Sequence, residues 1–272
     1  ILFLLCLKHL ELILIENLYF RISSMSSPKK FLLIVLLLPY FLMAKEPIKI
    51  LFIGNSYTYR NHMPRMFSKV AKANGKNVEV NWCVKGKTSF YRHSQREAVY
   101  KAIQWRKWDY VVLQGSSRDM LKDSLTFYDR TLPGLNKITK AIQANSKATK
   151  IVFFMTWSYR KGYKKFSFSN SHFKMIRRIS VKYQAIAEQY NAMLNPVGLI
   201  WEKLYFKHHI KNLYKPDNGH PSVLGSYVTA CSFYSTIFGK PVKHTPQAYI
   251  KISQHNRVEK LVGEYCEKLA KK

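Results

Sequence analysis

Short runs of consecutive apolar residues punctuate the chain: Ile48 to Ile53, Val78 to Val84, Tyr110 to Leu113 and Ile151 to Thr156. Continuous rather than alternating hydrophobicity is the pattern of strands in a parallel sheet covered on both faces. The stretches between them carry helical spacing. Met63, Met66, Phe67, Val70 and Ala71 share one face, and Asn74-Gly75 supplies a C-terminal stop. Leu135 to Ile142 predicts a further helix, and Ile176, Ile179, Tyr183, Ile186, Ala187 and Tyr190 form another apolar stripe. Val223 to Phe238 is more apolar all round and predicts a more buried helix; the tail from Thr245 adds one around Val258 to Leu269. Strand and helix alternating at this rhythm predict βαβ units and an α/β fold with a doubly wound parallel sheet. In such sheets ligands sit beyond the carboxyl ends of the strands, so the residues just after each strand are where chemistry is sought.

The N-terminal region has a different character. From Met25 the chain reads MSSPKKFLLIVLLLPYFLMAKEP: Lys29 and Lys30, then an apolar run from Phe31 to Leu42, then Ala44. That is the anatomy of a secretory signal peptide over residues 25–44, although Leu42 is large for the −3 position. It predicts an exported protein, periplasmic or extracellular. No cysteine follows Ala44 to suggest a lipid anchor. Residues 1–24 contain no methionine and are read as an over-extended start. The rival, one long membrane anchor, is opposed by Lys8, Glu11, Glu16 and Arg21, which interrupt the apolar residues. Residues 45–272 then form a single domain, with no stable membrane span in the mature form.

Charge and cysteines refine this only slightly. Lys+Arg number 45 against 15 Asp+Glu, a net +30, which favours polyanions or anionic surfaces. The cations are scattered without an arm or finger spacing, so no specific nucleic-acid partner is expected. Of four cysteines, Cys83, Cys231 and Cys266 survive the trimming, too few and too irregular for a disulfide framework.

Two segments carry candidate chemistry. After the first strand comes Gly54-Asn55-Ser56-Tyr57-Thr58, a sharp turn that presents a serine at the sheet edge. Alone it reads more readily as a helix N-cap than as a nucleophile. Near the other end lies Leu213-Tyr214-Lys215-Pro216-Asp217-Asn218-Gly219-His220-Pro221-Ser222. Asp and His three apart across a glycine turn can join carboxylate to imidazole, leaving the second ring nitrogen to take a proton from a serine. Pro221 suits the first turn of the following helix.

Together these motifs resemble the SGNH hydrolases, the GDSL-like esterases, over roughly Ile48 to Gly239. GNSYT with DNGHPSVLGSY is closest to a bacterial branch of that superfamily. The resemblance implies a three-layer α/β/α sandwich of flavodoxin-like type, with Ser56 as nucleophile and Asp217 and His220 completing a triad. It implies an oxyanion hole built from the Ser56 N–H, the N–H of Gly86 in the second block, and a side-chain carboxamide after strand three. There Gln114 stands where the superfamily has asparagine. On that reading Gln114→Ala lowers turnover steeply and leaves the fold alone. The first block carries Asn55 where the superfamily name implies aspartate. No metal or organic cofactor is needed.

Other candidates are weaker. His208 and His209 with His220 lack a carboxylate or thiol that would complete a metal set. The segment from Tyr159 to Phe166 follows strand four, and Tyr159, Arg160 and Tyr163 could stack on sugar rings or hold an anion. Trp82, Trp105, Trp108 and Trp201 read as core rather than as platforms. The leading expectation is a serine esterase removing acyl or acetyl groups from a carbohydrate or similar small ester. The alternatives are a catalytically silent polyanion- or glycan-binding protein on the same fold, and an O-acyltransferase using the same serine.

Overall fold

The computed structural model describes residues 46–244, 246 and 252–270. The expected signal peptide and the stretch before it lie outside the described residues. Five strands form one parallel sheet: β1 (Ile48–Gly54), β2 (Val78–Val84), β3 (Tyr110–Leu113), β4 (Lys150–Phe154) and β5 (Met193–Asn195). Their order is β2-β1-β3-β4-β5, the flavodoxin-like order, with the switch between β1 and β3. The predicted α/β sandwich is the one found.

The longer helices among the described residues are α1 (Met63–Ala73), α2 (Glu97–Gln104), α3 (Leu132–Asn145), α4 (His172–Gln189), α5 (Val197–Glu202), α6 (Val223–Phe238) and α7 (Ile252–Ala270). They cover the sheet from both sides because each central strand is apolar on both faces. Ile50, Phe52, Val112, Val152 and Phe154 point to one layer, packed with α1, α5, α6 and α7. Leu51, Ile53, Val111, Leu113, Ile151 and Phe153 point to the other, packed with α2, α3 and α4. Successive strand residues alternate between the layers, and burying both sets is what makes the runs read as continuously hydrophobic.

Local signals fix the ends. Asn74 caps α1, and Gly75 follows in the left-handed region at φ 71°. Helix α6 spans the expected residues, but its cap is Ser222, whose hydroxyl accepts from the Gly225 N–H. Pro221 therefore precedes the cap, in an antiparallel bridge to Tyr214, instead of opening the helix. β5 was not expected; three residues ending in asparagine give too little hydrophobic pattern to read. Among the described residues no helix is long and apolar enough to cross a membrane.

The tryptophans split. Trp108 and Trp201 are buried as expected, whereas Trp105 is 60% exposed and Trp82 38% exposed. β2 is an edge strand, so the layer thins there; Arg65 lies over the Trp82 ring, and Arg106 over Trp105, which also packs against Trp108.

Candidate active site

The first strand ends in a turn that demands a small residue. A methyl group placed on Gly54 would lie 2.2 Å from Thr58 Oγ1 and 2.7 Å from Gln114 Oε1, both fixed by hydrogen bonds. Asn55 then leaves the strand in extended conformation, and its Oδ1 accepts from the Tyr57 N–H at 3.1 Å. Its Nδ2 donates across the site to Thr88 O at 3.0 Å and Gly115 O at 3.4 Å. One carboxamide thus ties the turn after β1 to the loops after β2 and β3, and Ser56 stands half-buried at the start of a short helical turn.

The partner loop is equally determined. The Tyr214–Pro221 bridge and a bond from the Lys215 N–H to His220 O at 2.8 Å close it. Asn218 takes φ 71°, a left-handed conformation that asparagine tolerates. Asp217 Oδ1 accepts from the backbone N–H of Gly219 at 3.0 Å and of His220 at 2.9 Å. Its Oδ2 lies 2.6 Å from His220 Nδ1. His220 Nε2 is 3.0 Å from Ser56 Oγ. With Nδ1–H donating to the carboxylate, Nε2 is left as the acceptor facing the serine hydroxyl. Partial burial pushes the Asp217 carboxyl upward. The hydrogen bonds from His220 and Gly219 outweigh it and hold the group below its usual value.

Aromatic rings back this loop. Tyr57 packs edge-on against the His220 ring at 5.7 Å and stacks on Trp157 at 4.7 Å; Trp157 stacks in turn on Trp201 at 3.8 Å. The Trp157 indole N–H donates to Gly219 O at 2.8 Å, locking the position of the loop that bears His220.

The structure therefore brings Ser56, Asp217 and His220 together across 164 residues of sequence. It does not bring Gln114 to them. That side chain is 1% exposed, and its Oε1 accepts from the Asn55 N–H and the Thr58 hydroxyl, each at 2.8 Å. Its Nε2 turns to Gly115 O. Gln114 lines no part of the cavity at Ser56, so the expected oxyanion donor is instead a strut beneath the nucleophile turn. The extra methylene relative to asparagine lets the carboxamide reach back to the turn after β1. Gly86 sits in a loop held to that turn by the bond from the Lys85 N–H to Gly54 O at 3.0 Å, and it faces the Tyr59 hydroxyl.

A cavity of about 290 Å³ surrounds the trio. Tyr159 lines it as expected, whereas Arg160 does not; the Arg160 N–H instead holds Asn218 O at 2.9 Å. Tyr163 lines the adjoining cavity. Lys87, Ser116, Ser117 and Arg118 also line the central one, and none was singled out by the sequence. Their only signal is position, just after β2 and β3 at the carboxyl edge of the sheet. His208, weighed as a metal ligand, instead meets the Tyr265 hydroxyl at 2.8 Å.

The family model for DUF4886, a domain of unknown function, matches residues 90–261. The chain belongs to the DUF4886 family. No curated protein sequence matches it. A provisionally assigned SGNH hydrolase from Slackia heliotrinireducens is similar in structure, with a TM-score of 0.58 at 26% identity, over 71% of this chain and 100% of that one. A DUF4886 family protein from Bacteroides uniformis gives 0.65 at 19% identity, over 80% and 94%. An acetyl xylan esterase, AlAXEase, shares the fold with a TM-score of 0.54 at 17% identity, over 70% and 100%. This DUF4886 chain is accordingly a member of the SGNH superfamily, as its two sequence motifs implied.

Proposed function

We propose that this DUF4886 protein is a serine esterase that removes short acyl groups, acetyl above all, from a carbohydrate or similar small ester. The observation that carries the reading is the unbroken line from Asp217 Oδ2 through His220 to Ser56 Oγ, with spacings of 2.6 and 3.0 Å. In the proposed cycle Ser56 Oγ bonds to the acyl carbon as His220 Nε2 takes its proton. The tetrahedral intermediate collapses when His220 returns that proton to the departing alkoxide, releasing the alcohol. Water then attacks the acyl-serine, gives a proton to His220, and the acid leaves as Ser56 regains its hydrogen. Asp217 holds the tautomer and stabilises the imidazolium. The Ser56 N–H is the proposed oxyanion donor, since Gly86, like Gln114, is not among the residues lining the cavity at Ser56. That cavity is small, about 290 Å³, which favours a short acyl group over a long alkyl chain. Export is proposed with it, on the character of residues 25–44.

One observation favours a second reading, a silent glycan-binding protein on the same fold: Gln114 faces inward, so the third-block carboxamide donor is not at the cavity. Hydrolysis of 4-nitrophenyl acetate by the wild type and by Ser56→Ala separates the two. A rate that vanishes with Ser56 supports the esterase; no Ser56-dependent rate leaves the silent protein.

A further inference from the structure

A second cavity, about 680 Å³, adjoins the one at Ser56 and shares Lys87, Ser116 and Arg118 with it. The loops after β2, β3 and β4 build it, together with Arg130 and with Arg178 of α4. Its walls have two properties. The first is uncompensated positive charge. Lys87, Arg92, Arg118, Lys122, Arg130 and Arg178 line it, against the carboxylates of Asp119 and Asp123. Both carboxylates are engaged within the protein. Asp119 is 2% exposed and accepts from the Phe90 and Ser116 N–H groups and from Lys122, and Asp123 accepts from the N–H and hydroxyl of Thr126. Among the described residues Arg118, Arg130 and Arg178 have no carboxylate partner.

The second property is aromatic. Arg178 lies 4.3 Å over the Phe168 ring, Arg130 5.8 Å over Tyr91 and Arg118 5.9 Å over Tyr163. Phe166 and Phe168 stack at 5.0 Å, while Tyr91 and Phe168 are each more than a third exposed. Stacking holds a guanidinium in place, and a guanidinium N–H edge matches a carboxylate or sulfate in two-point geometry. Partly exposed rings beside cations suit cyclic units that carry one anionic group each.

We propose that this groove binds the acidic residues of an O-acylated anionic glycan and lays the chain beside Ser56, so that an acyl ester on it enters the smaller cavity. The inference rests on the esterase reading for its substrate role. A glycan is favoured over nucleic acid because a carboxylic ester on the bound polymer is what the serine would cut.

Binding is measured with Ser56→Ala, which cannot consume its ligand, using O-acetylated oligogalacturonate as the anionic probe and acetylated xylo-oligosaccharide as the neutral one. The oligogalacturonate is expected to bind about tenfold tighter or more, to weaken with added salt, and to lose about tenfold in Arg130→Gln/Arg178→Gln. Equal affinity for the two probes, or no effect of the double substitution, overturns the assignment. Tighter binding of a single-stranded oligodeoxythymidylate than of the oligogalacturonate overturns the glycan as ligand. The wild type on 4-nitrophenyl acetate keeps the two claims apart. Ser56-dependent hydrolysis with equal handling of both glycans removes the groove assignment alone. Absence of any Ser56-dependent hydrolysis removes the esterase reading and the substrate role together.

Discussion

At the carboxyl edge of the sheet, polar groups occur in two layers that differ in where their hydrogen bonds go. The upper layer is Ser56, His220 and Asp217, half-buried or exposed, bonded chiefly to one another and open to a cavity. The lower layer is Gln114 with the rings of His93 and His172, all buried, whose bonds run to fixed groups of the protein. Gln114 and Asn55 make the point at close range. Both are carboxamides just beyond a central strand, yet Asn55 borders the cavity while Gln114 supports the turn from beneath. Residue type and position after a strand nominate a group for chemistry. The direction of its hydrogen bonds decides whether it is free to do any.

If that division is right, substitutions in the upper layer remove activity and spare the fold, and those in the lower layer do the reverse. The largest effect belongs to Ser56→Ala, which should cost on the order of 10⁴- to 10⁶-fold in ester hydrolysis with an unchanged far-ultraviolet spectrum and melting temperature. Asp217→Asn should follow at about 10³- to 10⁴-fold. Its amide N–H would face His220 Nδ1 and favour the wrong tautomer, while the oxygen that receives the two backbone N–H groups remains. Steady-state kinetics alongside thermal melting reads both.

The lower layer is tested by acid. Burial, with Arg96 as a second cause, lowers His93 to about 4, and burial lowers His172 to about 4, from an ordinary value near 6.5. The folded state therefore refuses protons that the unfolded chain accepts between those values. Stability is full above pH ~6.5 and declines as the pH falls towards about 4, by up to about 3 kcal/mol for each ring. Urea unfolding across pH 4–7 should show this slope, and His172→Gln should flatten part of it. Gln114→Ala has the smallest expected effect on turnover and is the most diagnostic test. Stranding the Asn55 N–H and the Thr58 hydroxyl should cost about 2–4 kcal/mol, roughly 5–15 °C in melting temperature. Turnover per folded molecule should stay within about tenfold. A loss of 10²-fold or more in kcat at unchanged melting temperature would instead return Gln114 to the oxyanion site.

Much of this architecture is legible in the residues. The longer strands are marked by apolar runs because both sheet faces are covered, and α6 by a sixteen-residue stretch buried almost all round. The trio is legible because each member sits in a turn whose local chemistry is self-contained: Asn55 caps its own turn, and Asp217 binds the two N–H groups that follow it. What escaped depends on neighbours remote in sequence. Gln114 points inward because Asn55 and Thr58, more than fifty positions away, offer donors. Arg118 matters through a ring on another loop, and Trp157 through Gly219 on a third. Arg160 shows the converse: a cation in a suggestive run, set aside from the cavity because its backbone clasps Asn218.

The central claim is that Ser56 is a nucleophile made reactive by His220. Treating the wild type with a fluorophosphonate and mapping the adduct by peptide mass spectrometry tests it directly. The account predicts a single phosphonylated peptide containing Ser56, formed rapidly by the wild type and at least about a hundredfold more slowly by His220→Ala. Labelling at Ser117 or Ser158 instead, or equal labelling of Ser56 in both proteins, would contradict it.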